Sequence, residues 1–280
     1  MMMEMLQYTF MQNALIAGIL ASIIFAIIGT FVVVKRIVFI SGGIAHASFG
    51  GVGLAFYLGI NPLIGASLFA VISALGVGTV GKKTLQREDT AIGIVWAVGM
   101  ALGAFFYYIT PGYLPSPSSF LFGNLLMIRR IDLYLLFAMS LITLFIVSMF
   151  YHKLQAISFD EEFSEVVGVP TTTFYFLLLI LVAFSIVFLI KFVGIILVIA
   201  MLAIPASISS GVTHDMKKII IYSFLLSISF VISGLFISYQ INTPAGPTIV
   251  MLAGLVFMID MAYSKVLTCT NLPSLFCSGR

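Results

Sequence analysis

Two short stretches hold the residues of this chain best suited to chemistry: "SGGIAHASFGG" at 41–51 and "SFDEEFSEVVGVP" at 158–170. In the first, His46 stands among Gly, Ala and Ser, with Gly42 and Gly43 four and three positions before it and Gly50 and Gly53 four and seven after. On a helix these residues share one face, so an imidazole lies in an otherwise bare groove. Such a groove either admits another helix closely or leaves a water-filled space. Neutral imidazole suits zinc and related divalent metals. One histidine cannot hold a metal tightly, because structural zinc takes four ligands. A weak, incomplete site fits a transport path, which the ion must leave again. The plainer alternative is a histidine hydrogen-bonded to a neighbouring helix backbone.

The second stretch carries four of the ten acidic residues between Asp160 and Glu165. Ser158 and Glu161 fit a capping box. Asp160, Glu161 and Glu162 would occupy a first turn, where the helix dipole favours negative charge. Phe163, Val166 and Val167, with Phe159 just before, give an apolar face. Gly168 suits the residue after the helix, and Pro170 stops it. This predicts a short amphipathic helix over 158–168. Surface-seeking helices favour Lys and Arg on their polar face, so an acidic one fits the groove of a partner protein better than lipid.

The elements that must position these residues are membrane spans. The chain is 61% hydrophobic and 8% charged, against about 25% charged in soluble domains. Runs long enough to cross lipid lie at about 11–34, 44–60, 62–80, 90–109, 132–151, 171–190, 193–212, 218–238 and 246–263. The fold class is therefore all-α and polytopic, a single transmembrane domain over 1–264 with a short cytoplasmic tail at 265–280. The run at 11–34 reads as the first span rather than a cleaved leader, since no basic stretch precedes it. With nine alternating spans, Lys35, Arg36, Lys82, Lys83, Arg87, Lys153, Lys217, Lys218, Lys265 and Arg280 share one side. By the positive-inside rule that side is cytoplasmic and the N-terminus is outside. Arg129, Arg130 and Lys191 are the exceptions. The segment 116–128 is too short to span and reads as a re-entrant helix on the outer side; the alternative, a crossing, changes the span count and flips everything before it.

Several readings are excluded or set aside. A net charge of +3 is too small to imply nucleic acid as a partner. Cys269 and Cys277 form neither a CxxC pair nor a disulfide framework. "GVGTVGKK" at 76–83 matches GxGxxG and nearly a phosphate-binding loop, but it ends a membrane span, and Lys83 stands where Ser or Thr should hold magnesium. The chain is accordingly not expected to be an ATPase or other enzyme, nor to bind a cofactor. "GMALG" at 99–103 is a close-packing motif. Ser48 lies two positions from His46, so on a helix the two point apart, which argues against a serine hydrolase.

"FVVVKRIVFISGGIAHASFGGVGLAF", "DTAIGIVWAVGM", "FLFGNLL", "FDEEFSEVVGV", "KFVGIILVIAMLAIPASIS" and "TPAGPTIVML" occur in that order. Together they resemble the permease subunit of metal-ion ABC importers, over about residues 10–262. The resemblance implies a large multi-span fold of the vitamin B12 permease type and a homodimer with its ion path on the two-fold axis. It also implies that cytoplasmic ATPase subunits bind 158–168 as a coupling helix, and that an extracytoplasmic binding protein delivers the metal. His46 matches the family histidine. Gly42 stands where family members often carry aspartate, and "SFGG" where Leu-Pro-Gly often follows. An imidazole without that carboxylate leans towards zinc over manganese as the transported ion. Gly42, Gly43, Gly50 and Gly53 are expected to line the path. Asp89 matches a family "DT" and reads as a helix cap. An ATP-independent metal transporter or channel is the alternative; it predicts intramembrane carboxylates or inverted repeats, and neither is evident.

Overall fold

The computed structural model describes residues 7–83, 88–112, 114–116, 120, 122–123 and 125–271. Among them, nine helices are long and apolar enough to cross a membrane, and there is no strand. In chain order the helices are α1 (Thr9–Val34), α2 (Val38–Leu58), α3 (Pro62–Lys83), α4 (Glu88–Ile109), α5 (Arg130–Phe159), the short α6 (Glu161–Val166), α7 (Thr171–Val193), α8 (Ile195–Val212), α9 (Met216–Ile241) and α10 (Ala245–Asn271). Only helices satisfy every backbone group within lipid, and the apolar run lengths dictate them.

The bundle is built around α1, α2 and α7. α2 packs on α4 and α3; α1 packs on α5, α8 and α9; α7 packs on α3 and α5. The spanning part of α2 is 78% buried, whereas that of α4 is 17% buried. α4 is therefore clamped on one side by α2 and open on the other. α7 and α8 are separated by one residue, Gly194, whose φ of 81° and ψ of 161° make the reversal. Glycine adopts that backbone without a Cβ clash.

Side-chain contacts agree with strict alternation of the spans. Lys35 and Lys82 both meet Glu161. Lys153 lies over the Phe174 ring and Lys217 over the Tyr151 ring. The ends expected to be cytoplasmic thus gather at one pole. At the other, Lys191 donates to Asp132 at 2.8 Å. Of the predicted re-entrant segment, 117–119, 121 and 124 lie outside the described residues, and its two ends are placed by hydrogen bonds. Tyr107 donates to the Pro115 carbonyl at 3.3 Å, and Asn13 donates to that of Ile128 at 3.1 Å, so both ends of the segment stay at the outer pole. Between them the described residues include helical Phe120 and Phe122 and a 3-10 turn, Leu125–Met127.

Two boundaries differ from expectation. α5 kinks at Phe150, whose backbone is non-helical (φ −108°, ψ 16°), close to the expected end of the span, and continues beyond the kink to Phe159, where Leu154 and Ile157 are fully buried and keep its last turns packed. α10 continues to Asn271, so part of the expected tail is helical backbone, while 272–280, with Cys277, lie outside the described residues.

Candidate functional site

His46 lies eight residues into α2, about 12 Å along its axis at 1.5 Å per residue. Its imidazole stacks on the indole of Trp96 from α4, with ring centroids 4.2 Å apart and planes 11° from parallel. The His46 Nδ1 is buried and has no hydrogen-bond partner. A buried, unpartnered polar atom is costly, and it separates this imidazole from a histidine satisfied by a neighbouring backbone. Ser48, by contrast, donates to the Ala45 carbonyl at 2.6 Å within its own helix. It makes no hydrogen bond with His46 among the described residues.

The glycines around His46 take the close-approach alternative. A Cβ added at Gly43 would lie 2.7 Å from Ile92; at Gly50, 2.8 Å from the Gly99 carbonyl; at Gly53, 2.5 Å from the Gly103 carbonyl. At these three positions α2 packs closely on α4, Gly50 and Gly53 against backbone and Gly43 against the Ile92 side chain. Gly42 is different. Its nearest neighbour is Trp96, whose Cζ3 would be 3.7 Å from an added Cβ, an ordinary contact. Gly42, His46 and Trp96 therefore form one cluster, with the indole spread across the face where the two α2 residues stand.

Sequence reasoning missed Trp96. Its signal was present: it is the only Trp of the chain and stands three and seven positions before Gly99 and Gly103, on the helix face that packs against α2. Among the described residues no three of His, Cys, Asp and Glu gather in one place, so this chain offers a metal a single imidazole there. Towards the outer pole, a cavity of about 310 Å³ is walled by Phe49, Val52, Phe56, Phe120 and Val187, with Lys191 at its edge; these side chains offer no anionic ligand for a cation. Asp89 lies in the first turn of α4.

The acidic stretch forms α6, shorter than expected. Asp160, not Ser158, is the N-cap: its backbone is extended, and its Oδ1 accepts from the Phe163 N–H at 2.9 Å. Ser158 belongs to the last turn of α5, where its hydroxyl donates to the Leu154 carbonyl at 2.7 Å. The predicted capping box does not form, because packing of Leu154 and Ile157 carries α5 past Ser158. The end of α6 is as expected: Gly168 has φ of +88°, its N–H donates to the Glu165 carbonyl, and Val169 N–H donates to that of Ser164.

The helix has two unlike sides. Phe159, Phe163, Val166 and Val167 are 56, 64, 86 and 63% exposed, and Glu162 is exposed beside them. On the other side Ser164 is buried, and Glu161 turns back into the bundle to Lys35 and Lys82. Burial alone would raise the Glu161 carboxyl, but the hydrogen bonds and charges of Lys35 and Lys82 outweigh it and hold the group below its ordinary value.

Residues 7–264 match the family described as the ABC 3 transport family. A probable metal transport system membrane protein of Chlamydia pneumoniae is 38% identical over 256 residues, 89% of this chain and 87% of that protein. The manganese transport system membrane protein MntC of Listeria monocytogenes is 32% identical over 263 residues, 93% and 92% of the two chains. The solved structure of PsaBC from Streptococcus pneumoniae in complex with Fab contains a chain that superposes with a TM-score of 0.82 at 30% identity, covering 93% of this chain and 95% of that one. The nine apolar helices are those of a multi-pass cell-membrane protein, and the chain belongs to the ABC 3 transport family, the permease subunits of metal-ion ABC importers.

Proposed function

We propose that this chain is the membrane-spanning half of an ATP-driven divalent-metal importer, working as a homodimer in which His46 of each copy faces the metal path. The observation that carries the path assignment is the His46 imidazole itself. It is held within a span, oriented by Trp96, and has a buried Nδ1 with no partner. An ionisable group kept at such a depth is expensive and marks function. Two imidazoles, one from each copy, give a passing ion a weak and incomplete shell, which suits release as well as capture.

The chemistry of ATP resides on separate cytoplasmic subunits in this reading. The exposed face of Phe159, Phe163, Val166 and Val167, flanked by Asp160 and Glu162, is the surface that docks them. Lone apolar residues on a surface need no explanation, but four together on a six-residue helix and its flanks do. An extracytoplasmic metal-binding protein delivers the ion at the outer pole.

The ion we assign is zinc, because the cluster supplies imidazole and no carboxylate, and imidazole suits zinc better than manganese. Manganese is the second reading, favoured by the name of the Listeria relative. The test is ATP hydrolysis by the complete transporter in lipid vesicles, with ATPase subunits and binding protein present and zinc, manganese or iron supplied in turn. Stimulation by zinc above the other two, with uptake lost in His46→Ala at equal membrane level, is the expected result. Stimulation by manganese alone moves the assignment to that metal. Wild-type uptake in His46→Ala removes the residue from the path.

A further inference from the structure

We infer that Glu161 is a positioning residue that ties the docking helix to the bundle, so that displacement of α6 is carried into α1 and α3. The inference deepens the reading of α6 as the ATPase-docking element and rests on it. A six-residue helix cannot hold its own place, since isolated helices of that length are marginal. Ser164 is buried against the bundle, and one carboxylate ties α6 to α1 and α3 by charge. Glu161 Oε2 pairs with Lys35, the residue that ends α1, and Oε1 lies 2.6 Å from Lys82 Nζ in the last turn of α3.

Each lysine has a second attachment. Lys35 donates to the Ile157 carbonyl of α5 at 2.8 Å. Lys82 donates to Thr172 of α7 at 3.3 Å, and both ammonium groups face the Tyr175 ring, 5.6 and 4.9 Å from its centre. The cytoplasmic ends of α1, α3, α5 and α7 therefore meet at Glu161. All three charged side chains are partly buried, 13, 20 and 31% exposed for Lys35, Lys82 and Glu161, so the pairs are shielded more than surface ion pairs.

The route continues inward from α3. Gly65 of α3 and Gly51 of α2 approach backbone to backbone: a Cβ at Gly51 would be 2.1 Å from the Gly65 carbonyl. Such a contact has no side chain to yield, so α3 carries α2, and His46 with it. The path from the docking helix to the imidazole is thus Glu161, Lys82, α3, α2.

The test uses the complete transporter in vesicles and reads two quantities: ATPase retained on affinity purification, and the ratio of metal-stimulated to basal hydrolysis. Glu161→Gln is expected to retain the ATPase while that ratio falls roughly fivefold, within the range that substitutions along a coupling route produce. Phe163→Ala, on the outward face, loses the ATPase instead. Lys82→Gln cuts only the α3 arm, gives an intermediate ratio, and serves if Glu161→Gln does not fold. A wild-type ratio in Glu161→Gln or Lys82→Gln overturns the inference. Loss of the ATPase in Glu161→Gln also overturns it and assigns the carboxylate to the docking face. Failure of the unaltered chain to bind any ATPase or respond to any metal instead strikes the functional reading beneath it.

Discussion

The imidazole of His46 and the indole of Trp96 lie in parallel contact, 4.2 Å between ring centres, although fifty positions separate them in the chain. The stack fixes the imidazole plane. It leaves Nδ1 buried and without a hydrogen-bond partner. An aromatic pair of this kind contributes about 1 kcal/mol beyond its buried area.

Loss of the stack should therefore be visible in transport. Trp96→Ala frees the His46 ring to reorient, and uptake per folded transporter is expected to fall about fivefold, the equivalent of roughly 1 kcal/mol. Trp96→Phe keeps an aromatic face and should retain most of the activity. Vesicle uptake normalised to folded protein decides it. Equal rates for Ala and wild type would show that the indole does not orient the path residue.

Gly42 offers a way to change the metal. An added Cβ meets only Trp96, at an ordinary 3.7 Å, so Gly42→Asp is accommodated. Positions 42 and 46 are one helical turn apart, which brings a carboxylate beside the imidazole. Carboxylate oxygen suits manganese, and the ratio of manganese to zinc uptake is expected to rise. An unchanged ratio in a folded Gly42→Asp transporter would mean that this face does not contact the ion.

The helix-packing glycines divide sharply by environment. Gly51→Ala puts a methyl 2.1 Å from the Gly65 carbonyl, with backbone on both sides, and should strongly lower thermal stability in detergent. Gly76→Ala, in α3 with nothing within 4 Å, should be neutral or raise stability by up to about 1 kcal/mol, the intrinsic helical advantage of Ala over Gly. Thermal melts of the two variants check the contrast; similar melts would contradict the close α2–α3 approach.

The Glu161 clamp has a defined pH dependence. Its carboxyl is held below the ordinary value, the hydrogen bonds and charges of Lys35 and Lys82 outweighing the effect of burial. A depressed folded-state value means that the clamp's contribution is complete above the unfolded carboxylate value, about 4.3, and is lost as pH falls through the lower folded value. The stability difference between wild type and Glu161→Gln should be constant from neutral pH down to about pH 5 and shrink below that. A difference that grew on acidification would reverse the sign and exclude the clamp.

Much of this architecture is legible along the chain because its causes are local. Apolar run length decides that a segment spans, and lysine position decides which end stays in the cytoplasm; Lys35, Lys82, Lys153 and Lys217 gather at one pole as that rule requires. Gly168 and Pro170 end α6 through their own backbone limits, and the exposure of Phe163, Val166 and Val167 follows from their spacing on a short helix.

Where long-range packing competes with a local signal, the sequence misleads or is silent. Ser158 carries a sound capping pattern, yet Leu154 and Ile157 are buried deeply enough to draw α5 past it, and Asp160 becomes the cap. The glycine pattern around His46 announces a close approach without naming what approaches; α4 takes Gly43, Gly50 and Gly53, and α3 takes Gly51. Lys35 stands 126 positions from Glu161, and no periodicity relates them. Residue type and spacing sufficed for the spans and their alternation, and they pointed to the imidazole. The neighbours of that imidazole and the partners of the docking helix were decided only when the helices packed, because backbone and side-chain contacts between distant segments depend on the whole bundle and on no local pattern.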